Sequence, residues 1–229
     1  DGKPQKVGVA IADIMTGMYA ATAILASLYQ RSKTGTVQDI NVPLYDSQVA
    51  WLANQNMNFL MSNEVPLKNG NAHPNIAPYQ TFSTSDGDIM VAVGSDDQFL
   101  KFMRCIGCSD QKIIDNFKYN EQRVENINEL DVIISKLIIK KTTSYWLDEL
   151  KDKNIPCGPI NNISDVFKSE YANEMGFVCY GENSTDKRVP TVKNPVKFSK
   201  HEINYHQASP NHGEHKYDIL RNFLGYTED

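Results

Sequence analysis

The sequence has no excess of positive charge: 23 Lys and Arg stand against 28 Asp and Glu, a net charge of −5, and the basic residues are not gathered into a patch. Phosphate backbones are bound by concentrated Lys and Arg, so no nucleic-acid partner is expected. No continuous apolar run approaches the roughly 20 residues that a bilayer crossing needs, so no membrane span is expected either. Cysteine is also scarce. Four thiols (Cys105, Cys108, Cys157, Cys179) in 229 residues are too few for a disulfide scaffold and point to a reducing compartment, the cytoplasm or one such as the mitochondrial matrix. Internal repeats are missing too, which sets aside solenoid arrays.

What remains is ordinary globular composition, 41% hydrophobic and 22% charged, in a chain long enough for one large domain or two modest ones. Asp1 rather than Met stands first and an apolar segment opens by Val7, so we expect the chain to begin inside a longer polypeptide.

From Asp13 to about Ser32, Ile14, Met18, Ala21, Leu25 and Leu28 recur at intervals of three and four, one face of an amphipathic helix. Arg31, Lys33 and Gly35 form its C-terminal stop. Val37 to Val42 alternates and reads as a strand, and a second helix is expected from about Leu44 to Ser62. Pro66, Pro74 and Pro78 with Gly70 and several asparagines mark residues 63 to 78 as a linker or shaped loop. "YQTFSTSDGDIMVAVG" gives two strands around Asp86-Gly87, a hairpin signal. Helices are expected over Ser95–Ile106, over Ile127–Lys140 with the stripe Ile127, Leu130, Ile134, Leu137 and Ile138, and over Thr143–Lys151. The Lys and Glu residues between 112 and 153 read as solvated helix faces, and the stretch after Gly176 as irregular with short strands. The organisation is therefore α/β, with a smaller α+β unit inserted in a larger one.

Asp13 is the notable residue, a lone carboxylate in "VGVAIADIMTGMYAA". Its plain reading is a helix N-cap. Its sharper reading uses the same place. A helix N-terminus favours negative charge, the small residues Ala10, Ala12, Gly17, Ala20 and Ala21 leave room for a substrate, and a partly desolvated carboxylate is a competent nucleophile toward an activated acyl group. The other candidates are weaker. Cys105-x-x-Cys108 has no second pair at zinc spacing and closes a helix instead of opening one. "HGEH" at 212 to 215, near His201 and His206, reads as solvated tail histidines, and Cys157 in "IPCGPI" lies in a turn with no histidine tied to it. No metal site is expected.

Taken together, "VGVAIADIMTGMYAATAILASLYQRSKTG" with "VQDINVPLYDSQVAWLANQ", then "GNAHPNIAPYQTF", "DGDIMVAVGSDDQF", "NIPCGPINN" and "HGEHKYDIL", resemble the class III CoA-transferases in order and in register. That group includes formyl-CoA transferase and carnitine-CoA transferase. The resemblance implies a Rossmann-like large domain carrying an inserted α+β domain, two subunits interlocked as threaded rings, no tightly bound cofactor, and acyl-CoA and carboxylic acid as substrates. It further implies a partner for this chain, the N-terminal half that supplies most CoA contacts; alone, the chain is expected to bind CoA poorly, and an inactive fragment lacking that half is an alternative reading. The domains expected on this basis are residues 1–63 (large domain, nucleophile helix), 64–79 (linker and substrate loop), 80–175 (small domain) and 176–229 (return to the large domain).

By the same resemblance Asp13 is the covalent nucleophile. It attacks an acyl-CoA thioester to form an aspartyl-acyl anhydride, then an aspartyl-CoA thioester, and the acceptor carboxylate takes CoA from there. Gly70, Asn71, Ala72, His73 and Asn75 fall on the substrate loop. Where formyl-CoA transferase has further glycines this chain has His73-Pro74-Asn75, which resembles the succinyl-CoA:glutarate subgroup and implies a dicarboxylic acceptor contacted by His73 and Asn75. The α-methylacyl-CoA racemases share the aspartate and are the alternative. They differ in having "ADFAGG" where this chain reads "ADIMTG", and "EPQF" where it reads "DDQF" with Asp96 in the place of the glutamate.

Overall fold

The computed structural model describes residues 5–227, and the chain divides into two compact units, Asp1–Gly70 and Asn71–Asp229.

The first unit is helical. α1 spans Ile11–Thr34 and ends where the sequence predicts, with Gly35 in the left-handed region (φ 73°) donating its N–H to the Arg31 carbonyl at 2.9 Å. It packs against α2, Leu44–Ala50, yet none of its own side chains is buried within the chain; Ile14, Met18, Leu25 and Leu28 all stay exposed. By length and composition α1 is apolar enough to cross a membrane, which corrects the expectation that no segment would be. Counting only unbroken apolar runs misses a helix that from residue 14 to residue 28 is interrupted by nothing but Thr, Ser, Gly and Tyr. The same test is passed by helices that never meet a bilayer, so no membrane is inferred from it.

Two further expectations are overturned here. Residues 37–42 form no strand: alternation is only half of a strand, and no ladder partner for them exists among the described residues. The helix expected from Leu44 to Ser62 is two helices, α2 and α3 (Asn54–Ser62), because the chain turns sharply at Ala53 (φ 52°). Asparagine side chains compete for backbone groups, and here Asn56 Nδ2 donates to the Val49 carbonyl at 2.8 Å, filling an acceptor that a continuous helix would have used internally.

The second unit is built on an antiparallel sheet of β1 (Tyr79–Ser83), β2 (Asp88–Ala92) and β3 (Cys157–Pro159), in that order, with Thr81 opposite Met90 and Met90 opposite Gly158. The hairpin turns at Asp86-Gly87 as the sequence predicts. Asp86 fixes it by accepting from the Thr143 amide (2.7 Å), the Thr143 hydroxyl and the Thr84 hydroxyl, which holds its carboxyl below the usual carboxylate range. Cys157, expected in a turn, is in β3.

Against one face of this sheet pack α4 (Asp96–Cys105), α7 (Ile127–Ile138) and α8 (Thr143–Asp152). Ser95 and Thr142 cap α4 and α8 by accepting from Gln98 N and Tyr145 N. The α7 stripe is realised at Leu130, Ile134 and Ile138, all fully buried beside Ile89, Val91, Phe99, Phe102 and Leu150. Trp146 joins this core with its indole N–H donated to the Ile138 carbonyl at 2.7 Å. The one-turn helices α5 (Gln111–Asn116) and α6 (Asn120–Glu125) link α4 to α7; α9 (Ile163–Lys168) and α10 (Glu170–Met175) follow β3. The chain then forms a two-stranded ribbon, β4 (Val178–Gly181) and β5 (Val189–Val192), against which the tail returns, Glu182 bridging to Gln207. The short α11 (Lys216–Asp218) runs into a wide turn over Ile219–Phe223.

Candidate functional site

The structure places the predicted site residues on two elements, each described in its own unit. Asp13 and Gly70 belong to the first; Asn71, Ala72, His73 and Asn75 share one loop of the second.

Asp13 is not the N-cap. α1 begins at Ile11, its N-cap is Ala10, and no side chain caps that end; Asp13 sits in the first turn. This corrects the plain reading and keeps what matters to the sharper one: the carboxylate lies at the positive end of the helix without being spent on a capping hydrogen bond. Its side chain is exposed in this chain rather than partly desolvated. One turn on, Gly17 leaves open space where a side chain would stand, and Thr16 folds its hydroxyl back onto the Ala12 carbonyl at 2.7 Å. A carboxylate so placed can reach a carbonyl carbon approaching over small neighbours.

The loop from Asn71 to Pro78 is pinned along its length. Asn71 Oδ1 accepts from Thr81 N (3.1 Å) on β1. His73 donates its amide to the Tyr79 carbonyl (2.9 Å) and stacks its ring on that of Tyr79, centroids 5.2 Å apart and 13° from parallel. The His73 Nδ1 accepts from the Asn75 amide at 3.1 Å, so in the neutral imidazole Nε2 carries the proton. The loop then enters the core at Ala77 and Pro78, joined by a cis bond, and Pro78 O accepts from Val93 N at 2.9 Å.

The residues that hold this loop were not found from the sequence. Asn120, which opens α6, accepts from Ala77 N (3.1 Å) and donates to Asn75 O (2.9 Å). Arg123, three residues on, is fully buried, a charge that the reading of the Lys and Glu residues between 112 and 153 as solvated faces did not address. Its guanidinium donates to the carbonyls of Ala77 (2.6 Å), Phe117 (3.0 Å) and Lys118 (2.8 Å) and to Asp96 Oδ1 (2.8 Å), and lies over the Phe99 ring at 4.5 Å. The spacing of three in "NEQR" puts Asn120 and Arg123 on one side of a helical turn, and that was the available signal. Asp96, in the place of the racemase glutamate, is committed to this ion pair.

The remaining candidates take structural roles. Burial pushes the Cys105 thiol up, with the Glu149 carboxylate adding to it, and burial pushes Cys157 up as well; all four cysteines are unpaired. Such thiols hold little thiolate and are poor nucleophiles. In "HGEH", Glu214 accepts from the amides of Asn211 (2.6 Å) and Ser184 (2.8 Å), tying the tail to the β4–β5 turn, and its carboxyl is held low by those bonds. No cluster of three His, Cys, Asp or Glu able to hold a metal occurs among the described residues. An open groove of about 730 Å³, lined by residues such as Tyr171, Phe177, Val192, Phe198 and Tyr205, contains none of the predicted site residues.

The sequence profile described as CoA-transferase family III matches residues 1–216. The chain is 37% identical over 220 residues to the succinate–glutarate CoA-transferase of Agrobacterium fabrum, covering 96% of this chain and 55% of that protein. It is 36% identical over 230 residues to the human succinyl-CoA:glutarate CoA-transferase, covering 100% of this chain and 52% of that protein. The crystal structure of a CAIB/BAIF family protein from Brucella suis superposes with a TM-score of 0.76 at 37% identity, over 97% of this chain and 57% of that one. The chain thus spans about half the length of the curated relatives it matches.

Proposed function

The chain belongs to CoA-transferase family III, and from that premise we propose that the complete protein moves coenzyme A from an acyl-CoA donor to a dicarboxylic acid, with Asp13 as covalent nucleophile. The observation that carries this reading is the identity of 36–37%, over 96–100% of the chain, to two enzymes named for succinate and glutarate.

In this proposal the Asp13 carboxylate attacks the thioester carbonyl; the carbon–sulfur bond breaks, giving an aspartyl-acyl anhydride and CoA thiolate. The thiolate attacks the aspartyl carbonyl, releasing the donor acid and leaving an aspartyl-CoA thioester. The acceptor carboxylate attacks that carbonyl, thiolate leaves again, and its return to the acceptor acyl carbon yields the new thioester and restores Asp13. Every step exchanges one activated acyl bond for another, so none has to expel a poor leaving group, provided water is kept from the anhydrides. The His73–Asn75 loop meets the acceptor's second carboxylate. Residues 1–63 and 176–229 belong to the large domain, 64–79 to the linker and substrate loop, and 80–175 to the small domain. The exposed apolar stripe of α1 supports the reading that further polypeptide covers it, whether the N-terminal half or the second subunit of an interlocked dimer. The unpaired thiols support a reducing compartment.

The test is to incubate the complete protein with succinyl-CoA, quench with hydroxylamine, and follow the peptide holding Asp13 by mass spectrometry. A hydroxamate at Asp13, and its loss together with transferase activity in Asp13→Asn, is the expected result. An Asp13→Ala protein that still transfers CoA refutes the proposal.

A further inference from the structure

Asn120 holds the loop in a way that few side chains could. Its one planar amide satisfies two main-chain groups of opposite kind on the same stretch, the Asn75 carbonyl through Nδ2 at 2.9 Å and the Ala77 N–H through Oδ1 at 3.1 Å. Asp could serve only the second, because a carboxylate has no donor. The anchor itself is firm: α6 is tied by the buried Arg123 to Ala77, Phe117, Lys118 and Asp96, and the Tyr119 amide donates to Gln122 Oε1 at 3.1 Å. The clip also sits in line with the histidine. The residue whose carbonyl Asn120 binds, Asn75, is the one whose N–H fixes His73 Nδ1 as an acceptor. With its face against Tyr79 and Nδ1 occupied, the neutral imidazole has a single polar function left, the Nε2–H donor.

We infer that Asn120 is a positioning residue for acceptor selection: through Asn75 it fixes the tautomer and aim of His73, so that Nε2–H donates to the second carboxylate of a dicarboxylic acceptor. This rests on the transferase function proposed above. Asn120 touches no substrate, and because it is only half-buried and Arg123 holds Ala77 independently, its loss is expected to leave the second unit folded.

The experiment compares Asn120→Ala and Asn120→Asp with the unmodified complete protein. Acceptor KM is measured for glutarate and for butyrate, which lacks the second carboxylate, alongside donor KM and hydroxylamine trapping at Asp13 without acceptor. Losing one hydrogen bond to a charged group predicts a glutarate KM raised about tenfold in Asn120→Ala, with butyrate kinetics, donor KM and trapping within about twofold of the unmodified protein. Asn120→Asp, which keeps the Ala77 bond, falls between. Nitrogen-15 shifts of the His73 ring supply a readout free of turnover: Nε2–H in the unmodified protein and a mixture of tautomers in Asn120→Ala. An unchanged glutarate KM or an unchanged His73 spectrum in Asn120→Ala overturns the inference, and so does an equal loss with butyrate, which would mark a general disturbance. Absence of transfer to any carboxylate by the unmodified protein is a different failure, that of the proposed function, and it is seen before any variant is compared.

Discussion

Replacing Arg123 by Ala should be the most damaging single change in the second unit. The guanidinium is fully buried and donates to three main-chain carbonyls and to Asp96. Truncation strands those acceptors and removes the cation that stacks on Phe99. Removing one partner of a buried charge network costs about 3–5 kcal/mol, and a single orphaned carbonyl costs about 1–3 kcal/mol by itself; water entering the space left behind recovers part, so about 3–5 kcal/mol is the expected total. For a unit of this size that lowers Tm by roughly 6–20 °C. The contrast with Asp96→Ala separates two explanations. The Asp96 side chain is 45% exposed, so its pair with Arg123 is screened and is worth about 1 kcal/mol, and Arg123 keeps its three carbonyls when Asp96 is gone. The assay is urea unfolding of the complete protein followed by fluorescence of the buried Trp146, with far-UV circular dichroism as a second probe. Equal losses from the two substitutions, or a loss below about 1 kcal/mol for Arg123→Ala, would refute the view that Arg123 serves chiefly to organise the backbone.

Two more outcomes follow from single residues. Burial holds the Asp131 carboxyl above the usual carboxylate range, only partly offset by Gln80, and one of its oxygens has no hydrogen-bond partner; the folded state therefore binds the proton more tightly than the unfolded one, and stability falls as pH rises from the ordinary Asp range through the raised value. Asp131→Asn should then be more stable at pH 7, by no more than about 1 kcal/mol after solvent screening, with the advantage gone below about pH 3.5; urea titrations at the two pH values check this. At Gly181 an added Cβ would stand 2.8 Å from both Ala208 N and Tyr205 O, which are main-chain atoms with nowhere to retreat, so Gly181→Ala should detach the returning tail at a cost of about 1–3 kcal/mol, seen as faster hydrogen exchange at the Glu182 and Ala208 amides that now bond across this junction.

The core of the second unit was legible because its signals are local and agree. The helices expected over Ser95–Ile106 and Thr143–Lys151 form as Asp96–Cys105 and Thr143–Asp152, the α7 stripe is buried at a spacing of four, and Asp86-Gly87 turns the hairpin. The first unit was less legible for a physical reason. Alternation in residues 37–42 describes which side chains would share a face, but a strand exists only with a ladder partner, and the described chain supplies none. The break at Ala53 depends on one asparagine finding one carbonyl, an event of side-chain geometry that no periodicity encodes. Asp13 was a candidate from its setting among small residues, and the resemblance of the matching segments gave it the nucleophile's role; the plain local rule made it a cap, and α1 starts three residues too early for that.

The frame of the substrate loop was illegible for yet another reason. Asn120 lies 45 residues from Asn75 and Arg123 lies 46 from Ala77, and both sit in a one-turn helix too short to show a period. A buried arginine is tolerable only because polar groups from several segments converge on it, and sequence displays each of those carbonyls as an anonymous backbone. The arrangement has a consequence for how the loop should be probed. Its main chain is held by Asn120, Arg123, Tyr79 and Val93 and its Asn71 side chain by Thr81, all outside it, whereas the His73 side chain contributes only the stack on Tyr79 and the acceptor for Asn75 N. Substituting His73 therefore removes a chemical group from a loop whose path is set elsewhere, and substituting Asn120 loosens the aim of that group through Asn75 while Arg123, Tyr79 and Val93 keep the rest of the path. A loop contact with the acceptor predicts that both variants weaken dicarboxylate binding and that the double variant is no worse than His73→Ala alone, since Asn120 acts only through the group already removed.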